Sequence, residues 1–299
     1  PWTRWWWLGS AVDEAEITRH LQLLHEAGFG GVEISPIYGV EDEEDRSIPF
    51  LSPRWIEMLR YTVREAKRLG LGVDMITGTG WPLGGPWISA EDAAAKALFE
   101  SYTVAGGGQV EEPIISTTEP QAALRALMAY SQDGQVLDLS QQVDDQRRLH
   151  WIALPGQWNV YAVFQTGTGQ QVKRSAPGGE GNVVDHFSAE AIDRYLAHFD
   201  QAFANLSAEE QIRCFFNDSY EVYEANWTDE LLSEFQHRRG YDLRHHLPAL
   251  CGQDDPEIVS RVRSDYRQTI SDLVLDAFVQ PWTAWAHRHE AISRNQAHG

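Results

Sequence analysis

The feature that most constrains the fold is an alternation repeated through the first eighty residues. Short apolar runs at 4–10, 31–36 and 72–77 are separated by two segments with apolar residues at helical spacing. Asp13 followed by Glu16 reads as a capping box, with Ile17, Leu21, Leu24 and Ala27 as the stripe and Gly28 as the stop. Ser52 and Pro53 open the second helix, and Ile56, Leu59, Val63, Ala66 and Leu69 lead to Gly70. Strand, helix, strand, helix, strand with short connections requires parallel pairing, because each return passes through a crossover. The fold class is therefore α/β. No G-x-G-x-x-G follows the first strand, and GTGWPLGGP at 78–86 lacks the Lys and Ser/Thr of a phosphate loop, so a nucleotide fold loses its signature.

The pattern then changes. From 107 to 175 Thr, Val, Gly and Gln dominate, with alternating stretches such as WNVYAVFQ at 158–165, which predicts an inserted all-β element. The barrel-type alternation is expected over 1–106 and again over 176–299. Further strands are expected at 212–217 and 292–296, and a helix capped by Thr228 should end near Gly240. A long helix begins after Asp255 and Pro256, with a kink at Pro281. The five parallel strands should lie side by side in sequence order.

The formal net charge of −20 disfavours nucleic acid and anionic membranes as partners, since both need a basic face. No run of eighteen apolar residues is present. A neutral carbohydrate is compatible with this charge, and twelve tryptophans supply flat apolar faces that suit sugar C–H surfaces. Most of those rings are expected in the core. Cys214 and Cys251 form neither a disulfide framework nor a metal motif. No organic cofactor is implied, and the oligomeric state stays open.

Ligands of parallel α/β folds lie at the carboxyl ends of the strands. The fourth such end reads Phe215-Phe216-Asn217-Asp218-Ser219-Tyr220-Glu221, an apolar strand followed by an amide and two carboxylates. Glycosidases need one carboxyl to protonate the leaving oxygen and another to activate water or attack carbon. Glu221 is the candidate catalytic group, with Asn217 and Asp218 as candidate sugar ligands. The alternative is that Asp218 caps a turn and Glu221 faces solvent. Arg294, Gln296 and His298 fall on one face of the fifth strand, either as donors to sugar hydroxyls or as a polar ladder bracing the sheet. Glu33, Trp81, Asp185 and His186 complete the candidate substrate-binding set; the bland reading of His186 is a structural residue near a helix cap. His245 and His246 read as a solvated cluster, and residues 41–45 as a solvated acidic loop.

Several long segments, in order, resemble glycoside hydrolase family 106. They are RWWWLGSAV with the DEAEI helix start, GGVEISPIYG, TGTGWPLGGPWIS, APGGEGNVVDHFS, FFNDSYEVYEANWT, HRRGYDLRHHLP and SRNQAHG. The resemblance implies a partial (β/α)8 barrel of about five units, and an inverting exo-α-L-rhamnosidase acting on plant or bacterial polysaccharide. It also implies bound calcium and a periplasmic or extracellular location. Glu221 stands where the family has a catalytic carboxylate, taken as the general acid, while Tyr220 stands where Trp is more often expected. The base is expected beyond Gly299, so the chain reads as a fragment inactive alone. The alternatives are a glycosidase of the same architecture with another sugar, and a non-catalytic carbohydrate-binding protein.

Overall fold

The computed structural model describes residues 1–296. β1 (Trp2–Leu8), α1 (Glu14–Glu26), β2 (Gly31–Ile37), α2 (Pro53–Arg68) and β3 (Gly72–Ile76) follow the alternation read from sequence. A two-residue strand β4 (Gly84–Gly85) comes next, then β5 (Ala95–Ala105), β6 (Gln109–Pro113), β7 (Ala123–Ser131), β8 (Val136–Asp138), β9 (Arg148–Ile152) and β10 (Gln157–Gly167). The chain continues through β11 (Asn182–Val183), α3 (Ala189–Phe203), β12 (Cys214–Asn217) and α4 (Leu231–Arg239). It ends with α5 (Leu247–Leu250), α6 (Pro256–Leu273), α7 (Gln280–Arg288) and β13 (Ile292–Asn295).

Two compact units emerge. The first comprises Pro1–Ala94, Gly169–Tyr223 and the chain from Leu275 onward; the second comprises Ala95–Thr168 and Glu224–Val274. In the first, β1, β2, β3, β12 and β13 form one sheet in that order, and every adjacent pair is parallel. Strand neighbours thus follow sequence order, with no reversal to mark a doubly wound sheet. In the second, β5, β10, β7 and β8 form an antiparallel sheet over a core that includes Leu127, Trp158, Val160 and Phe164. This sheet opens at Ala95 and closes at Gly167, earlier at both ends than the 107–175 read from composition. Helices α4, α5 and α6 group with it as well, and they carry His245 and His246 into this unit.

Local signals explain the ends of the elements. Asp13 accepts the Glu16 N–H at 2.9 Å, but the Glu16 carboxylate turns to Arg19 at 2.7 Å, so the cap forms without the reciprocal half of the box. Ser52 accepts the Trp55 N–H, with Pro53 in the first turn of α2. Thr228 does not cap α4, which starts at Leu231 after Glu230; Gly240 does end it, in the left-handed conformation. Pro281 falls in the first turn of α7, and the expected kink is replaced by a π turn at Val274–Val279. The wider turn accommodates a ring that would otherwise meet the carbonyl four residues back.

The two faces of the parallel sheet differ. On one, Trp7, Trp55, Tyr195, Phe199, Phe215 and Trp285 are all fully buried beneath the helices. The Tyr195 hydroxyl donates to the Thr77 carbonyl at 2.8 Å and the Trp282 indole to the Thr77 hydroxyl at 3.0 Å, which ties α3 and α7 to the end of β3. The other face carries Arg4, Glu33 and Phe216, with Trp2, Trp6 and Ile292 left 42%, 42% and 52% exposed. Trp2 lies flat across Gly31 and Gly72, where any Cβ would approach its ring to within 2.4 Å, and Arg213 stacks on it at 3.9 Å. Among the described residues no helix is long and apolar enough to cross a membrane.

Glu210 anchors the segment leading into β12. It is buried, and burial alone would raise its pKa. Contacts with Arg60 at 3.0 Å, the Ser207 N–H at 3.1 Å and Arg64 at 2.7 Å outweigh that and lower it to about 2. A depressed carboxyl stabilises the fold above its unfolded pKa and loses that contribution as pH falls through the folded value. Glu210→Gln should cost about 2 kcal/mol at pH 7. The difference from wild type should shrink between roughly pH 4.3 and pH 2, as urea unfolding across that range would show. A constant difference would mean that charge is not its source.

Candidate active site

An ion-pair chain crosses the open face of the parallel sheet. Arg294 on β13 pairs with Glu33 on β2, Glu33 accepts from Arg4 on β1 at 2.9 Å, and Arg4 reaches Asp218 just beyond β12 at 2.9 Å. Two strands separate β2 from β13. In a flat sheet they would stand roughly 14 Å apart, at about 4.8 Å per strand spacing. An Arg and a Glu side chain span that gap only if the sheet curls toward this face. Phe216 sits between the two guanidinium groups, 5.0 Å from Arg4 and 4.5 Å from Arg294. Glu33 and Asp218 are almost fully buried, so their charges depend on these partners.

A hollow of about 460 Å³ on the same face is lined by Trp2, Arg4, Glu33, Asp74, Arg213 and Arg294. Asp74 accepts from Arg213 at 2.6 Å through one oxygen, while the other is buried without a partner. Burial raises its pKa, and Arg213 opposes that.

Glu221 heads a second cluster at the carboxyl ends of the strands. Its Oε2 accepts from Lys173 Nζ at 2.7 Å and from the Tyr223 hydroxyl at 3.1 Å, and Lys173 also donates to Tyr223 Oη at 2.9 Å. The backbone is held too: the Gln170 amide donates to the Glu221 carbonyl at 2.7 Å and accepts the Tyr223 N–H at 2.8 Å. The Lys173 ammonium holds the Glu221 carboxyl below the usual carboxylate range. Burial acts the other way, and the Tyr223 hydroxyl adds to the lowering. The Trp81 N–H is buried and makes no hydrogen bond. Trp81 and Lys173 exchange backbone hydrogen bonds at 3.1 and 2.8 Å, so the loop after β3 and the segment after β10 are laced together beside Glu221. Glu221 is 23% exposed, accessible to a ligand yet oriented.

The remaining sequence candidates distribute unevenly. Asn217 donates to the Asn295 side chain at 2.6 Å, and Gln296 donates to the Ser219 hydroxyl at 3.3 Å, so both brace neighbouring strand ends. Asp185 and His186 are buried. Asp185 caps the Phe187 N–H at 2.8 Å, and His186 contacts the Val184 carbonyl through Nδ1 at 2.8 Å. The His186 ring packs edge-on against Tyr220 and Phe278, its Nε2 has no partner, and burial lowers its pKa to about 4, which keeps it neutral. The pair braces Tyr220 instead of meeting Glu221. His298 lies outside the described residues. Among those residues no group of three or more His, Cys, Asp or Glu side chains is arranged to hold a metal ion. Glu33 and Asp218 are already engaged by arginines. Sequence reasoning missed Arg4, Lys173 and Tyr223. A lone Arg inside RWWWL was a signal for the first; nothing linked Lys173 to a carboxylate 48 positions away.

Removing Arg4 would leave Asp218 unpaired and Glu33 with Arg294 alone. Arg4→Met should destabilise the protein by about 3 kcal/mol. Arg4→Lys should recover only part of this, because Arg4 meets the two carboxylates through separate nitrogens of a planar fork that a compact ammonium cannot reproduce. Thermal and urea denaturation would check both, and a neutral Arg4→Met would show that the network does not hold the strands.

A family model described as alpha-L-rhamnosidase matches residues 1–132 and 116–298. A rhamnosidase from Novosphingobium sp. PP1Y superposes with a TM-score of 0.82 at 18% identity, over 99% of this chain and 45% of that one. A Formosa agariphila protein, named provisionally as a beta-glucuronidase, is 26% identical over 96% of this chain and 28% of its own length. The chain thus spans less than half the length of either relative. On the family match, which runs through nearly all of its residues, the chain belongs to glycoside hydrolase family 106.

Proposed function

We propose that the chain forms part of the catalytic (β/α)8 barrel of an inverting exo-α-L-rhamnosidase acting on plant or bacterial polysaccharide. The observation that carries this reading is Glu221 itself, an oriented, partly exposed carboxylate at the carboxyl ends of a curled parallel sheet. Support for the barrel comes from the strands' sequence order and from the uncovered apolar side chains on the concave face, since parallel sheets normally have both faces covered. Periplasmic or extracellular placement follows from the same reading, which has polysaccharide as its substrate.

In this reading the Glu221 carboxyl gives its proton to the glycosidic oxygen as the bond to the anomeric carbon breaks. Water attacks the opposite face and loses its proton to a second carboxylate. Glu33 and Asp218 are poor choices for that base, because both are held as ion pairs; the proposal places it beyond Gly299. A general acid must be protonated before it acts, whereas Lys173 favours the ionised form. Glycoside binding therefore has to draw Lys173 away from Oε2 and bury the carboxyl, both of which raise its pKa.

In the complete protein, Glu221→Gln should lower kcat on an aryl α-L-rhamnoside by about a thousandfold or more with little change in KM, as loss of a proton donor used only in the transition state would. Unimpaired turnover in this variant would show that Glu221 is not the general acid; binding without turnover in the wild-type protein would leave only a carbohydrate-binding role. Lys173→Met removes the largest cause of the Glu221 lowering, so the Glu221 pKa should rise. An acid loses activity as pH climbs through its pKa, and the basic limb of the pH–rate profile should move to higher pH. Movement of the acidic limb instead would reassign Glu221 as the base.

A further inference from the structure

Arg174 is the feature of this mouth that cleavage of a neutral glycoside does not use. Its guanidinium lies 4.9 Å from the Trp81 ring and 5.6 Å from the Tyr38 ring. Unlike Arg4, Arg213 and Arg294, it has no ion pair or side-chain hydrogen bond with any described residue. Its side chain is exposed, and the one carboxylate that its neighbour Lys173 meets is neutralised by Lys173 itself.

The backbone fixes this placement. Arg174 has φ +58°, a left-handed conformation that costs an L-residue about 1 kcal/mol. It is held there because the Arg174 carbonyl accepts the Tyr38 N–H at 3.0 Å and Lys173 is laced to Trp81. The preceding carbonyl passes so close to Gly80 that a Cβ there would lie 1.9 Å away. A guanidinium resting on aromatic faces keeps its N–H edges free in the ring plane, preorganised for two parallel hydrogen bonds to an oxyanion. In a chain of net charge −20, a cation of this kind beside the reacting carboxyl is suited to a negative charge that arrives with the ligand.

We infer that Arg174 recognises an anionic substituent, a uronic acid carboxylate or a sulfate ester, on the sugar adjoining the bond that is broken. This rests on the reading of Glu221 as the general acid, since the acid stands by the leaving oxygen and its neighbours therefore meet the leaving sugar.

The test uses the complete protein and three thio-linked, non-hydrolysable disaccharides with rhamnose at the non-reducing end. One carries glucuronic acid, the second has that carboxyl reduced to the alcohol, and the third is the reduced form bearing a sulfate ester. Calorimetry should show wild type binding at least one acidic ligand about tenfold or more tighter than the reduced one, and the tighter of the two identifies the source of the charge. The preference should weaken with salt, vanish in Arg174→Met and survive in part in Arg174→Lys. Turnover of a neutral aryl α-L-rhamnoside should be unchanged in both variants, which also reports that they fold. Equal binding of all three, no measurable binding of the acidic pair, or a preference that survives Arg174→Met overturns the inference. A preference that holds in a protein unable to cleave the aryl rhamnoside overturns the rhamnosidase reading alone.

Discussion

The Arg294–Glu33–Arg4–Asp218 chain is the constraint on which this structure turns. Two nearly buried carboxylates are tolerable only with cations against them, and those cations come from β1 and β13, three strand spacings from their partners on one path or the other. A flat sheet would keep the contact of Arg4 with its cross-strand neighbour Glu33 but would separate Arg4 from Asp218 and Arg294 from Glu33. Curvature is therefore required by the electrostatics as well as by strand twist, and it places the ends of β2, β3 and β12 around a common mouth. Phe216 fills the space between the guanidiniums, so the charged layer is also a packed one.

The charges near that mouth divide into two kinds. Glu33 and Asp218 are deep, each neutralised by arginine, a cation that stays charged at any working pH. Glu221 is shallower and is held by lysine and tyrosine, partners that a ligand can displace one at a time. A group that has to change protonation state needs such exchangeable neighbours; a group that holds strands together needs permanent ones. The proposed division, Glu221 for chemistry with Glu33 and Asp218 for architecture, rests on the identity of their partners, not on their positions along the chain.

What the sequence disclosed depends on the range of the interaction. The parallel strands and their helices were legible because helical spacing, caps and glycine stops are local, and sequence order then supplied the strand neighbours. Glu221 was legible because a strand end is a local place with a general meaning. The burial of Asp185 and His186 was not legible, because the contacts of His186 with Tyr220 and Phe278 depend on three separated segments. The antiparallel sheet was entered late because β5 begins with Ala, Lys, Ala, Leu, Phe and Glu, residues as common in helices. Lys173 was invisible for a different reason: its role exists only once the segment after β10 lies against Trp81.

That segment decides what kind of mouth this is. β4 and β11 pair Gly84 with Val183 and Gly85 with Asn182, the Asn182 carbonyl lies 2.2 Å from where a Cβ on Gly84 would stand, and Gly179 is similarly pressed against Thr79. Glycines at these contacts let two stretches of backbone touch, which side chains would prevent. Their closeness sets Lys173 on Glu221 and Arg174 on the rings of Trp81 and Tyr38. The strand end contributes the carboxylate, whereas the returning segment contributes the two cations, Lys173 and Arg174, that stand beside Trp81. If the proposed roles of Lys173 and Arg174 hold, a change in that segment would alter which sugars are accepted while the sheet and its ion-pair chain stay as they are, and selectivity would be separable from the fold that supports it.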